Sequence, residues 1–175
     1  DGEIHQIDTP INILKGCNAS GLMVTHDPEE AMSICDKVAV MNEGKIHQID
    51  TPINLLNNPK TIFVSSFILG NNILNLQKNG NTYMSCLGEI NSSDLLNNSN
   101  IKSMSISPKF ISIKRSESGN AIVISKEFLG EFLIYKVSIN EDILRVRTNI
   151  NNQLNNGDKC SLSINKNSYY FLYPG

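Results

Sequence analysis

Residues 21–52 read GLMVTHDPEEAMSICDKVAVMNEGKIHQIDTP. Local chemistry alone divides this stretch into elements. Leu22 to Thr25 is a short apolar run with a β-branched end, which predicts a buried strand stopping at His26. Asp27-Pro28-Glu29-Glu30 is a dense helix start. Asp27 suits the cap, Pro28 the first helical position, and Glu30 stands three residues after the cap. The two glutamates also lie at the positive end of the helix dipole. The helix is expected to run to about Cys35 or Asp36. Val38-Ala39-Val40-Met41 predicts a second buried strand. Asn42-Glu43-Gly44 is turn chemistry, and Lys45 to Ile49 returns as the other half of a hairpin. Thr51-Pro52 opens a short helix that Pro59 limits.

This order places His26 just past the carboxyl end of a strand, the edge at which open α/β sheets bind ligands. Two readings of His26 stand at this point. It is a histidine in a polar loop, or an imidazole placed to donate a hydrogen bond to phosphate.

Working outward, VTHDPEEAM at 24–32 resembles the switch-histidine loop of ABC transporter ATPase subunits. The likeness continues through CDKVAVMNEGKIHQIDTPINLLNNPKTIFVSSFILGNNIL, ending at Leu74. It is similar to the close of the nucleotide-binding domain in importers of the maltose, polyamine and ferric-iron type. The resemblance implies that His26 contacts the γ-phosphate of ATP and helps order the attacking water, as a catalytic and nucleotide-binding residue. It implies ATP and magnesium as cofactors of the intact parent. It implies two kinds of partner, a second ATPase subunit in a homodimer and integral membrane permease subunits, at the cytoplasmic face of the inner membrane. Two departures are small. Asp50 stands where the family usually has Gly, and Ile68-Leu69-Gly70 is one residue longer than the usual Ile-Gly.

The larger departure is what these 175 residues lack. They carry no G-x-x-x-x-G-K-[ST] phosphate loop. They carry no hydrophobic strand ending in Asp-Glu and no Leu-Ser-Gly-Gly-Gln signature. Phosphoryl transfer depends on positioning and charge stabilisation by such groups, and one histidine does not replace them. The chain alone is therefore expected to be inactive and to need no cofactor, although its parent is an ATPase.

Beyond about Pro59 the pattern changes to period two. Ser103 to Ser107, Ile111 to Lys114, Leu133 to Ile139, Leu144 to Arg147 and Cys160 to Ile164 all alternate, with turns at Ser118-Gly119-Asn120, Asn140-Glu141-Asp142 and Asn156-Gly157-Asp158. Short strands at this spacing predict a small antiparallel barrel. The Asn-rich stretches at 91–100 and 149–156 read as loops. Ile106-Ser107-Pro108-Lys109-Phe110-Ile111 is similar to the Arg-Pro-Glu-x-Ile motif of the TOBE domain, an oligonucleotide-binding-like barrel. Ser107 and Lys109 replace its Arg and Glu, so a salt bridge made by that motif is not expected to carry over. Arg145 and Arg147 share a strand face, as an anion site or a solvated face. Tyr169-Tyr170-Phe171 reads as base-stacking residues or as a closing strand. The formal charge of −2 gives no electrostatic footprint for nucleic acid.

The fourteen residues DGEIHQIDTPINIL at 1–14 nearly repeat EGKIHQIDTPINLL at 43–56. Two near-identical copies with unlike surroundings do not make a solenoid, which needs three or more diverged units. Residues 1–20 are expected to be an artefactual or weakly ordered duplicate, and the chain a fragment. The four cysteines are scattered, which favours reduced thiols over a disulfide framework or zinc site. No metal ligands are assigned. No apolar run approaches the roughly 18 residues of a membrane span.

The fold class that results is an α/β remnant of an ABC nucleotide-binding domain followed by a mostly-β OB-like (TOBE) barrel. The divisions are 1–20, 21–58 and 59–175. The function that results is the C-terminal part of the ATP-binding subunit of a bacterial importer, with ferric iron or polyamine as cargo. The alternative is a free-standing regulatory or small-anion-binding barrel without a transport role.

Overall fold

A computed structural model describes residues 20–90, 100–165 and 170–174. The first copy of the repeat, Cys17, the Asn-rich segment 91–99 and Tyr169 lie outside the described residues.

Helix α1 spans Pro28–Ile34, with Asp27 as its cap. Strands β1 (Val38–Asn42) and β2 (Lys45–Asp50) form an antiparallel hairpin. Its two-residue turn has positive φ at both Glu43 and Gly44, the geometry that matches the twist of paired strands. Helix α2 (Pro52–Asn57) is capped by Thr51 and stops before Pro59, as the sequence predicts. Helix α3 (Ile62–Leu69) follows, capped by Thr61 and ended by Gly70 in the left-handed conformation. The alternating pattern thus begins later than Pro59. Val38, Val40, Leu55 and Val64 form a small core, with Ala31, Met32, Cys35, Phe63 and Ile68 packed against it.

The predicted strand at Leu22–Thr25 is not formed. Leu22 and Val24 are 95% and 91% exposed, and the segment has no regular structure and no ladder partner among the described residues. An apolar run becomes a strand only when a neighbouring strand takes its backbone groups and a layer covers its side chains. Among the described residues neither is present at 22–25.

The remainder is β-rich. Strands β3 (Asn72–Asn75), β4 (Gln77–Asn79), β5 (Thr82–Ser85), β6 (Gly88–Ile90) and β7 (Ile101–Ile106) precede a 3-10 turn at Pro108–Phe110. Then come β8 (Ile111–Arg115), β9 (Ala121–Phe128), β10 (Phe132–Ile139), β11 (Asp142–Asn149), β12 (Lys159–Ile164) and β13 (Tyr170–Pro174). They form three antiparallel sheets, ordered β11-β10-β9-β12-β8, β13-β7-β3 and β4-β5-β6. One core joins all three, built on Leu74, Met104, Ile106, Val123, Tyr135, Val137 and Val146.

Among the described residues the strands form open sheets and not a single closed barrel. The five-stranded sheet curls until its edges β8 and β11 come near one another, but no ladder joins them, and the 3-10 turn packs against β11 beside that gap. Alternation holds along the second half of β10, where Tyr135, Val137 and Ile139 are buried and Lys136 is exposed, whereas Leu133, Ile134 and Tyr135 are buried in succession. It is masked in β7, whose serines are buried along with Met104 and Ile106. The reason is α3. Ser105 shares a hydrogen bond with Ser65 of α3, and Asn71 Nδ2 donates to both hydroxyls, at 3.0 and 3.2 Å. Tyr173 Oη donates to the Pro59 carbonyl at 3.2 Å. Asn72 adds a backbone-like pair, donating to Arg145 O and accepting from Arg145 N–H, each at 2.8 Å. The bonds of Ser65, Asn71 and Pro59 fasten the helical part to the sheets, and the Asn72 pair ties β3 to β11.

Candidate functional site

His26 is the residue that the sequence singles out, and its position follows from the cap that comes next. Asp27 Oδ1 accepts from the backbone N–H of Glu29 at 2.8 Å and of Glu30 at 3.3 Å. Thr25 Oγ1 accepts from Asp27 N–H at 3.1 Å and donates to Glu30 Oε2 at 2.7 Å. Residues on both sides of His26 are thereby tied to the first turn of α1. The histidine projects from this small knot and is exposed. It does not sit at the carboxyl end of a strand, since 22–25 forms none. The imidazole is positioned through the capping bonds of Thr25 and Asp27 on either side of it.

Among the described residues no three His, Cys, Asp or Glu side chains come together in a way that can hold a metal ion. Asp50 serves the structure. Its carboxylate accepts from Asn54 Nδ2 at 2.7 Å and from Thr51 N–H at 3.0 Å, and these bonds hold its pKa below the ordinary value. Cys35, Cys86 and Cys160 are free thiols.

The other candidates resolve as follows. Tyr170 and Phe171 belong to β13 and pair with Ile106 and Ser105 of β7, the closing-strand arrangement. Arg145 and Arg147 do share the outer face of β11, but they do different things. Arg145 covers the end of α3, its Nη1 3.5 Å from where a Cβ on Gly70 would stand. Arg147 lies over the Phe132 ring, its Cζ 3.7 Å from the centroid.

A feature that motif reading did not reach lies at the junction of the helices and the sheets. A cavity of about 340 Å³ is lined by Leu56, Asn57, Leu69, Asn71, Ser107, Lys109, Arg147 and Phe171. Its signal in the sequence is faint. Arg147 and Lys109 each drew notice for other reasons, and nothing local joins them to α2 or α3.

No family model matches the chain. Over 73 residues it is 47% identical to a protein of Bacillus thuringiensis (strain Al Hakam) named spermidine/putrescine import ATP-binding protein PotA, covering 42% of this chain and 21% of that relative. The protein of that name from Bacillus anthracis gives the same figures. The one from Nostoc sp. is 48% identical over 62 residues, which is 35% of this chain and 16% of the relative. The matched part of the chain spans about a fifth or less of the length of these curated relatives.

Proposed function

We propose that these residues form the distal part of the ATP-binding subunit of an ABC-type importer of polyamines. The observation that carries the reading is the 47% identity to proteins named for spermidine/putrescine import. The order of elements behind His26 supports it, because the cap, helix, hairpin and second helix follow as the resemblance implies. The same relatives lend nothing to a ferric-iron cargo or to a free-standing barrel.

On this reading His26 faces the terminal phosphate of ATP in the whole protein. The residues described here do not by themselves fit a magnesium–nucleotide complex. One exposed imidazole offers a single hydrogen bond, the sequence carries no phosphate loop, and among the described residues no side chains group to hold a metal ion. No hydrolytic step is assigned to this chain. Its partners are a second ATP-binding subunit and membrane permease subunits, and its place is the cytoplasmic face of the membrane. No helix among the described residues is long and apolar enough to cross a membrane itself.

Two measurements test this. Cells with the gene disrupted, and cells carrying His26→Ala in it, are assayed for uptake of labelled spermidine. Loss of uptake in both, restored by the unaltered gene, is expected; uptake indifferent to disruption overturns the reading. The isolated chain, given magnesium and ATP, is expected to release phosphate no faster than buffer. Turnover abolished by His26→Ala would show that the chain is more complete than argued.

A further inference from the structure

The lining of the cavity at the junction is of two kinds. Leu56, Leu69 and Phe171 are apolar, Lys109 and Arg147 are cationic, and no carboxylate is among the lining residues. Its volume of about 340 Å³ falls at the small end of the range for small-molecule sites, roughly 300–1,000 Å³. Arg147 is the better defined of the cations. The Phe132 ring takes the face of its guanidinium, which leaves the in-plane N–H fork for a partner. Among the described residues no carboxylate pairs with it. A planar fork backed by an aromatic ring suits bidentate contact with an oxyanion.

A structural account competes. The C-terminal ends of α2 and α3 reach this cavity, and their carbonyls carry partial negative charge that cations offset. That account covers Arg145, which stands over Gly70 at the end of α3, while Arg147 lies on the Phe132 ring and, among the described residues, no hydrogen bond ties it to a carbonyl of either helix.

We propose that this cavity binds a small organic anion, its carboxylate or phosphate head on Arg147 and Lys109 and its apolar body against Leu56, Leu69 and Phe171. The site draws on α2 and α3 as well as on β11 and β13. It therefore exists only while the helical part is docked on the sheets, and a barrel standing alone does not possess it. It is independent of the transport reading.

The test is a titration of the full 175-residue chain followed by amide chemical shifts. Three probes share an aromatic body and differ in the head: phenyl phosphate, benzoate and benzamidine. Saturable shifts at residues 56–57, 69–71, 107–109 and 147 with either anion, and none with benzamidine, are expected. Which anion binds tighter assigns the head group. Arg147→Gln is expected to weaken binding by about tenfold or more, the loss of one charged hydrogen-bonding partner. Asn57→Asp puts a carboxylate on an exposed part of the lining and is expected to weaken binding without touching the sheet. Lys78→Gln, on exposed β4, is the control for general charge and is expected to change nothing. Shifts that do not saturate, equal shifts with benzamidine, or undiminished affinity in both Arg147→Gln and Asn57→Asp would overturn the proposal.

Discussion

Gly119 sits where the turn between β8 and β9 passes over the start of β12. A Cβ built there would overlap the carbonyl of Cys160 and come within 3.0 Å of Ser116 O. The obstacle is backbone, which cannot rotate aside. Gly119→Ala is therefore expected to cost about 1–3 kcal/mol, as overpacking does. Gly80→Ala is the contrast, since Gly80 has open space around it and a φ of +61°, so only the left-handed backbone is charged, at about 1 kcal/mol. Urea denaturation of the two variants checks this; equal losses would mean that contact with β12 contributes nothing. The sequence Ser118-Gly119-Asn120 announces a turn but is silent on the close approach, because Cys160 is remote along the chain. Gln48 is similar. It reads as an ordinary polar position of β2, yet it is buried, donating to Asn58 O at 3.1 Å and accepting from Lys60 N–H at 2.8 Å. His26 was visible as a residue, and the structure adds the capping bonds that present it.

Helix α1 shows what is legible at the scale of an element. Its start signal lies within four consecutive residues, and every bond of the cap is local, so the sequence suffices to place it. Its attachment is another matter. The helix has seven residues, none of them fully buried, and Ala31, Met32 and Cys35 only lean on the small core. Asp27→Ala is expected to remove about 1 kcal/mol of helix stability. Because so little packing holds α1, the loss is expected as faster amide exchange at residues 29–34 with the unfolding midpoint almost unmoved. A midpoint that falls by many degrees would show α1 to be integral to the core. The strand expected at 22–25 failed for the opposite reason, since a strand's partners are never in its own sequence. Helix α3 escaped the count of alternation because Ile62, Phe63, Val64, Phe67, Ile68 and Leu69 are apolar on all sides, with no single face to detect.

For the whole molecule, alternation and turns foretold a β-rich second part, while the division into three sheets around an open edge depends on contacts that no local pattern encodes. The same core predicts a response to alkali. Burial, then the hydrogen bond and charge of Asp142, push the Cys86 thiol up to about 12. Burial first, then Asp158, raises Cys160. Burial also raises Tyr135 and Tyr173, against the hydrogen bonds from Leu154 and Ser65 that pull the other way. In each case the folded protein holds its proton to higher pH than the unfolded chain does. Their contribution to stability is thus complete below the ordinary thiol and phenol values, 9.0 and 10.0, and is lost as pH rises through the folded ones. The thermal midpoint is expected to hold to about pH 9 and then fall, less steeply in Cys86→Ala. A midpoint flat to about pH 11 would contradict this assignment. One consequence concerns mechanics. The bonds from Tyr173 to Pro59 and from Ser65 and Asn71 to Ser105 are short-ranged and clustered, so a pull between helices and sheets loads them together. Such a joint transmits small displacements stiffly and then gives way at once, behaving as a brittle coupling and not as a viscous one.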